Sequence, residues 1–96
     1  MTTDLITPES VPSLWRLARL DFDAVRERPV LLYPEGAVFL NDTGRAILEL
    51  CDGRRTVGEI AATLRIRYDA DAAADVAADV TDYLAGLAAR ELIDVR

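Results

Sequence analysis

Two short apolar runs, Val30-Leu31-Leu32-Tyr33 and Ala37-Val38-Phe39-Leu40, flank Pro34-Glu35-Gly36 and lead straight into Asn41-Asp42. Proline suits the second position of a type I turn and glycine the residue leaving it, so Tyr33-Pro34-Glu35-Gly36 closes a β-hairpin. Neither strand alternates apolar with polar residues, the pattern of a strand that wants cover on both faces. A 96-residue chain has few elements with which to supply it. The hairpin either lies wholly under helices or keeps apolar surface for something else to cover.

Absences narrow the chemistry further. The chain has no histidine, no lysine and one cysteine, Cys51. A histidine general base, a Cys-His nucleophile, a disulfide, the usual zinc site, a lysine Schiff base and the lysine of a phosphate-binding loop are all excluded. The net charge of −6 argues against nucleic acid or an anionic membrane as partner. Residues 1–12, MTTDLITPESVP, lack the charged and apolar regions of a secretory signal, and no run approaches a membrane span. A lone thiol fits a reducing compartment, so the expected location is cytoplasmic.

Along the chain, residues 1–13 show no periodicity and are expected to form a mobile tail, with one domain over 14–96. Trp15 to Phe22 reads as a half-buried first strand, Ala18, Leu20 and Phe22 on one face. With the hairpin it makes a three-stranded antiparallel meander. If strand order follows the chain, Ala37 to Leu40 lies at an edge and carries no charge or proline to guard it. Asn41-Asp42 can cap a short helix presenting Ala46, Ile47, Leu50 and Cys51 and ended by Gly53. Thr56-Val57-Gly58-Glu59 is a capping box opening a second helix with Val57, Ile60, Ala61 and Leu64 on one face. Asp69 to Asp71 is expected to break it. A third helix then runs to about Arg90 with Val76, Val80, Tyr83, Leu84 and Leu87 at helical spacing, and Leu92 to Val95 closes the chain as an extended segment. Three strands followed by three helices is an α+β, winged helix-turn-helix-like outline.

Each candidate for chemistry has a plain structural reading. Asp75, Asp79 and Asp82 line up on the third helix, but without histidine or a convergent loop they read as a solvated face. Cys51, beside Ile47 and Leu50, reads as a small core residue with an acidic neighbour, Asp52. Arg54-Arg55 suits either anion binding or an exposed helix end, and Tyr33 and Phe39 either core or contact. What remains is the unguarded edge beside a long helix with an apolar stripe. It is a dimer interface, a surface the helices cover, or a groove to which an extended peptide adds as a strand.

The runs Val30 to Gly36, Asp23-x-Val25-Arg26, Ile47-Leu48-x-Leu50-Cys51-Asp52-Gly53 and Thr56-Val57-x-Glu59-Ile60 resemble the coenzyme PQQ synthesis protein D family, PqqD, over about Leu14 to Val95. The resemblance implies a non-enzymatic peptide chaperone without cofactor or metal. It would hold the precursor peptide PqqA and present it to PqqE, a radical SAM enzyme that cross-links a glutamate and a tyrosine of that peptide. It also implies docking between the third strand and the third helix, here Ala37, Val38, Phe39 and Leu40 with Val76, Val80, Tyr83 and Leu84. The rival reading is a winged-helix DNA-binding regulator, in which Asp69, Asp71, Asp75 and Asp79 would face phosphates, a poor arrangement.

Overall fold

The computed structural model describes residues 6–68 and 75–96; the expected helix break at Asp69 to Asp71 lies outside them. The elements run β1 (Pro12–Leu14), β2 (Arg19–Asp23), β3 (Arg28–Tyr33), β4 (Gly36–Phe39), α1 (Asp42–Glu49), α2 (Val57–Arg67), α3 (Val76–Ala89) and β5 (Ile93–Val95). The architecture is α+β: a three-stranded antiparallel sheet in the order β2-β3-β4, three helices, and a second sheet of β1 and β5.

The hairpin forms where its turn residues demand, with Tyr33 paired to Gly36 across Pro34-Glu35. Leu31 on central β3 has no exposed surface and packs in one core with Leu48 of α1, Ile60 of α2 and Leu84 of α3. Among the described residues the other face of the hairpin has no second layer of helices. Val30 is nevertheless buried, and the register sets Phe39 of β4 directly across from it. The Arg26 and Arg28 guanidinium carbons lie 5.2 and 5.7 Å from the centre of the Phe39 ring. Cross-strand contact and cation–π stacking thus supply locally the second cover that the apolar pattern called for.

The helix starts follow their caps. Asn41 Oδ1 accepts from the Gly44 amide at 2.7 Å, and Thr56 and Glu59 make both halves of the capping box. Two more orphan amides at the start of α2, those of Val57 and Gly58, donate to the carbonyls of Ser10 and Pro8. The α3 C-terminus is a Schellman turn in which Leu92 N–H donates to Leu87 O and Glu91 N–H to Ala88 O, with Glu91 at φ 61° where glycine is usual.

Two expectations change. The first strand is shorter than expected: Trp15 to Ala18 forms a turn, and the strand begins at Arg19. The expected boundary between residues 13 and 14 falls inside β1, where Pro12, Ser13 and Leu14 pair with Val95, Asp94 and Ile93. Residues 8–13 are therefore hydrogen-bonded into the domain. The closing segment is extended as expected, a strand with Ile93 buried, and it pairs with β1.

Candidate functional site

The backbone of β4 defines the site. Its last ladder bond runs from Leu40 N–H to Pro29 O at 2.9 Å. Antiparallel strands direct polar groups to alternate sides, so Val38 and Gly36, two and four residues back, also turn toward β3. Ala37 and Phe39 consequently aim their N–H and C=O groups away from the sheet. Pro29 has no N–H to return to the Leu40 carbonyl, and Arg28 Nη2 reaches it instead, at 3.5 Å.

A cleft of about 520 Å³ lies along this edge, walled on one side by Val38, Phe39 and Leu40 and on the other by α3. The α3 wall is Asp82, Tyr83, Gly86, Leu87 and Arg90, with Arg28 and Asn41 completing the rim. Two contacts fix its direction. Arg90 Nη2 donates to Tyr33 Oη at 3.2 Å, beside the hairpin turn where β4 begins. At the other end Tyr83 packs so closely on α1 that a Cβ on Gly44 would stand 2.5 Å from its hydroxyl. The helix wall therefore runs opposite to β4, from Tyr83 near the end of the strand to Arg90 near its start.

The residues named from sequence divide accordingly. Val38, Phe39, Leu40 and Tyr83 line this cleft, and Ala37 is exposed on the same strand. Val80 and Leu84 are 1% and 0% exposed and belong to the core. Val76 lines a different cleft of about 260 Å³ with Ile47 of α1 and Leu64 of α2. The most apolar stripe of α3 is the one facing α1 and α2. The cleft is lined by the stripe next to it, through Asp82, Gly86, Leu87 and Arg90. A glycine at a helix-interior, exposed position was the available signal, since Gly86 breaks an otherwise strong helix-forming run.

Among the described residues the one thiol is not activated as a nucleophile. The Cys51 side chain is buried and donates to Ile47 O at 3.3 Å. Burial, reinforced by Asp52, pushes its thiol up to about 12, so it stays protonated at neutral pH. Burial likewise raises the Tyr83 phenol. Asp52 is held below the usual carboxylate range by the Arg54 and Arg55 amides and ion-pairs with Arg55 at 2.6 Å, so that arginine is engaged locally. Asp75 caps α3, accepting from Ala78 N–H at 3.0 Å, while Asp79 and Asp82 are exposed on separate clefts. Among the described residues no group of acidic, cysteine or histidine side chains is placed to hold a metal, and no helix is long and apolar enough to cross a membrane.

Comparison with known proteins gives the family. The family model for coenzyme PQQ synthesis protein D matches residues 29–93. A PqqA binding protein of Rhodopseudomonas palustris is 43% identical over 86% of this chain and 80% of its own length. The bifunctional coenzyme PQQ synthesis protein C/D of Methylorubrum extorquens is 48% identical over 88% of this chain, which spans only 22% of that longer protein. The solution structure of the PqqD truncation of Methylobacterium extorquens PqqCD superposes with a TM-score of 0.83 at 44% identity, covering 98% of this chain and 99% of that one. It is described as a functional, stand-alone recognition element for ribosomally synthesized and post-translationally modified peptides. With a matching family model over most of its length and relatives this similar, the chain belongs to the PqqD family.

Proposed function

We propose that this protein captures the precursor peptide PqqA as an added strand on β4 and presents it to the radical SAM enzyme PqqE, contributing no catalytic residue itself. The observation that carries the reading is the edge of β4, where Ala37 and Phe39 aim backbone groups unpaired among the described residues across a cleft at α3. A visiting strand completes that ladder. The names of relatives as PqqA binding proteins support PqqA as the occupant.

Magnitudes decide what the groove must provide. Four strand-addition hydrogen bonds at about 1 kcal/mol each supply about 4 kcal/mol. Fixing the backbone of each peptide residue costs about 1 to 2 kcal/mol. Main-chain pairing alone does not hold a flexible peptide, so side-chain seats in the cleft provide the surplus. Once held, the peptide stays at high local concentration beside the modifying enzyme.

In this reading a winged helix-turn-helix-like order of elements carries a peptide where a regulator would carry DNA. The exposed Asp75 and Asp79 of α3 and the net charge of −6 favour the peptide. The site of action is the cytoplasm, where the precursor is translated. Titrating ¹⁵N-labelled protein with synthetic PqqA tests the proposal. Amide shifts concentrated on Ala37 to Leu40 and Tyr83 to Arg90 are expected, and shifts confined to other surfaces would overturn it.

A further inference from the structure

Taking the strand-addition reading as its basis, we propose that the cleft selects a two-point signature in the peptide: a large apolar residue seated over Gly86 and, two positions later, an acidic residue held by Arg90. The first seat follows from a missing side chain. Gly86 is exposed in mid-helix, and a Cβ built on it meets nothing within 4 Å. Glycine is the least favourable helix residue after proline, and here the space its absent side chain leaves opens into the cleft between Tyr83 and Leu87 on one side and Val38 and Leu40 on the other. That space is walled mainly by apolar carbon and suits an aliphatic or aromatic side chain.

The second seat follows from charge. Arg90 is tethered by its bond to the Tyr33 hydroxyl, and among the described residues no carboxylate ion-pairs with it. The far end of the cleft carries one group of each sign, Asp82 and Arg28. At the hairpin-turn end Arg90 is the charged group of this cleft; Glu35, Glu91 and Asp94 line the adjoining cleft with it, and none forms an ion pair with it. A guanidinium fixed in this way takes a carboxylate through charge-assisted hydrogen bonds.

Spacing joins the two seats. Four helix residues from Gly86 to Arg90 rise about 6 Å, and two residues of a strand advance about 6.6 to 6.8 Å with side chains on the same face. Pairing antiparallel to β4, like every strand pair in the protein, the peptide enters at the Tyr83 end and leaves at the Arg90 end. The apolar residue therefore precedes the acidic one.

Calorimetric titration of synthetic PqqA, and of variants with each carboxylate changed singly to its amide, against the parent and against Arg90→Gln and Gly86→Leu, tests the signature. One carboxylate is expected whose amide weakens binding to the parent about tenfold and to Arg90→Gln not at all, with a large apolar residue two places before it. Gly86→Leu is expected to raise the melting temperature while weakening capture about tenfold or more, a combination that a merely structural glycine does not give. The inference is overturned if every amide variant binds like PqqA, if the sensitive carboxylate lacks that apolar neighbour, or if Gly86→Leu captures as tightly as the parent. Amide shifts in the same samples separate the two levels. Shifts on β4 with no signature sink the seats alone, and shifts elsewhere sink the groove itself.

Discussion

Strands β2 and β4 both flank β3, and each turns two residues' backbone groups away from it: Leu20 and Phe22 on β2, Ala37 and Phe39 on β4. On β2 the exposed edge is defended. Arg19 and Asp21 form an ion pair at 3.2 Å, Asp23 pairs with Arg26, and Asp21 Oδ1 accepts the outward Phe22 amide at 2.8 Å. On β4, Gly36 to Phe39, no residue at all is charged, and a helix stands opposite across a cleft. Edge strands invite pairing, and proteins blunt them with charge and local capping. One edge of this small sheet carries those devices and the other lacks them, and the strand-addition proposal rests on that contrast.

The contrast breaks most sharply with proline. Val38→Pro removes a donor that points at β3, and a loss of about 3 kcal/mol or more is expected in denaturant melts. Phe39→Pro removes a donor that points outward, so the fold should survive while PqqA capture in a calorimetric titration falls away, with Phe39→Ala as the control for the lost ring. A folded Phe39→Pro protein that binds like the parent would erase the distinction between the two edges.

The wall facing β4 depends on a close approach that β2 has no counterpart for. In Gly44→Ala the new Cβ meets the Tyr83 hydroxyl, so a destabilisation of about 1 to 3 kcal/mol and weaker capture are expected. Adding Tyr83→Phe removes the nearest atom and should recover part of both, measured in the same melts and titrations.

A smaller effect on the fold is expected from disarming β2. Arg19→Thr with Asp21→Val should change stability by about 0.5 kcal/mol or less, but expose an uncharged edge and produce concentration-dependent self-association in sedimentation velocity. A doubly substituted protein that sediments like the parent at all concentrations would show that the charges are not what guards that edge.

Acid should give the smallest signal. The Arg26 amide and, with it, the Val25 amide and the Arg26 side chain hold the Asp23 carboxyl below its ordinary value, against a desolvation that raises it. A depressed folded-state value means the stabilisation is fully present above the unfolded value near 4 and is lost as pH falls through the lower folded one. Arg26 also stacks on Phe39, so in that window an NMR pH titration should show the β2–β3 turn and the Phe39 ring changing together.

Local signals carried most of the fold. The hairpin register, the Asn41 cap and the Thr56-Glu59 capping box are each written within four residues, and each appears where its residues stand. The β1–β5 sheet was not legible, because three residues near one end pair with three near the other and neither run has a period of its own. For the proposed groove, the strand side rests on an edge without charge or proline, legible in the sequence as it stands. On the helix, apolar periodicity finds the face that packs on the core, and Val80 and Leu84 are that face. The proposed groove rests on the open space at Gly86 and the charge of Arg90 beside the core stripe, and neither adds to a hydrophobic pattern.

Amide hydrogen exchange at four consecutive residues tests the open edge most directly. In the free monomer, Val38 and Leu40 should be protected by β3 while Ala37 and Phe39 exchange rapidly, and saturation with PqqA should protect Ala37 and Phe39 as well. Protection of Ala37 and Phe39 in the free protein, or exchange there that PqqA leaves unchanged, would contradict the account.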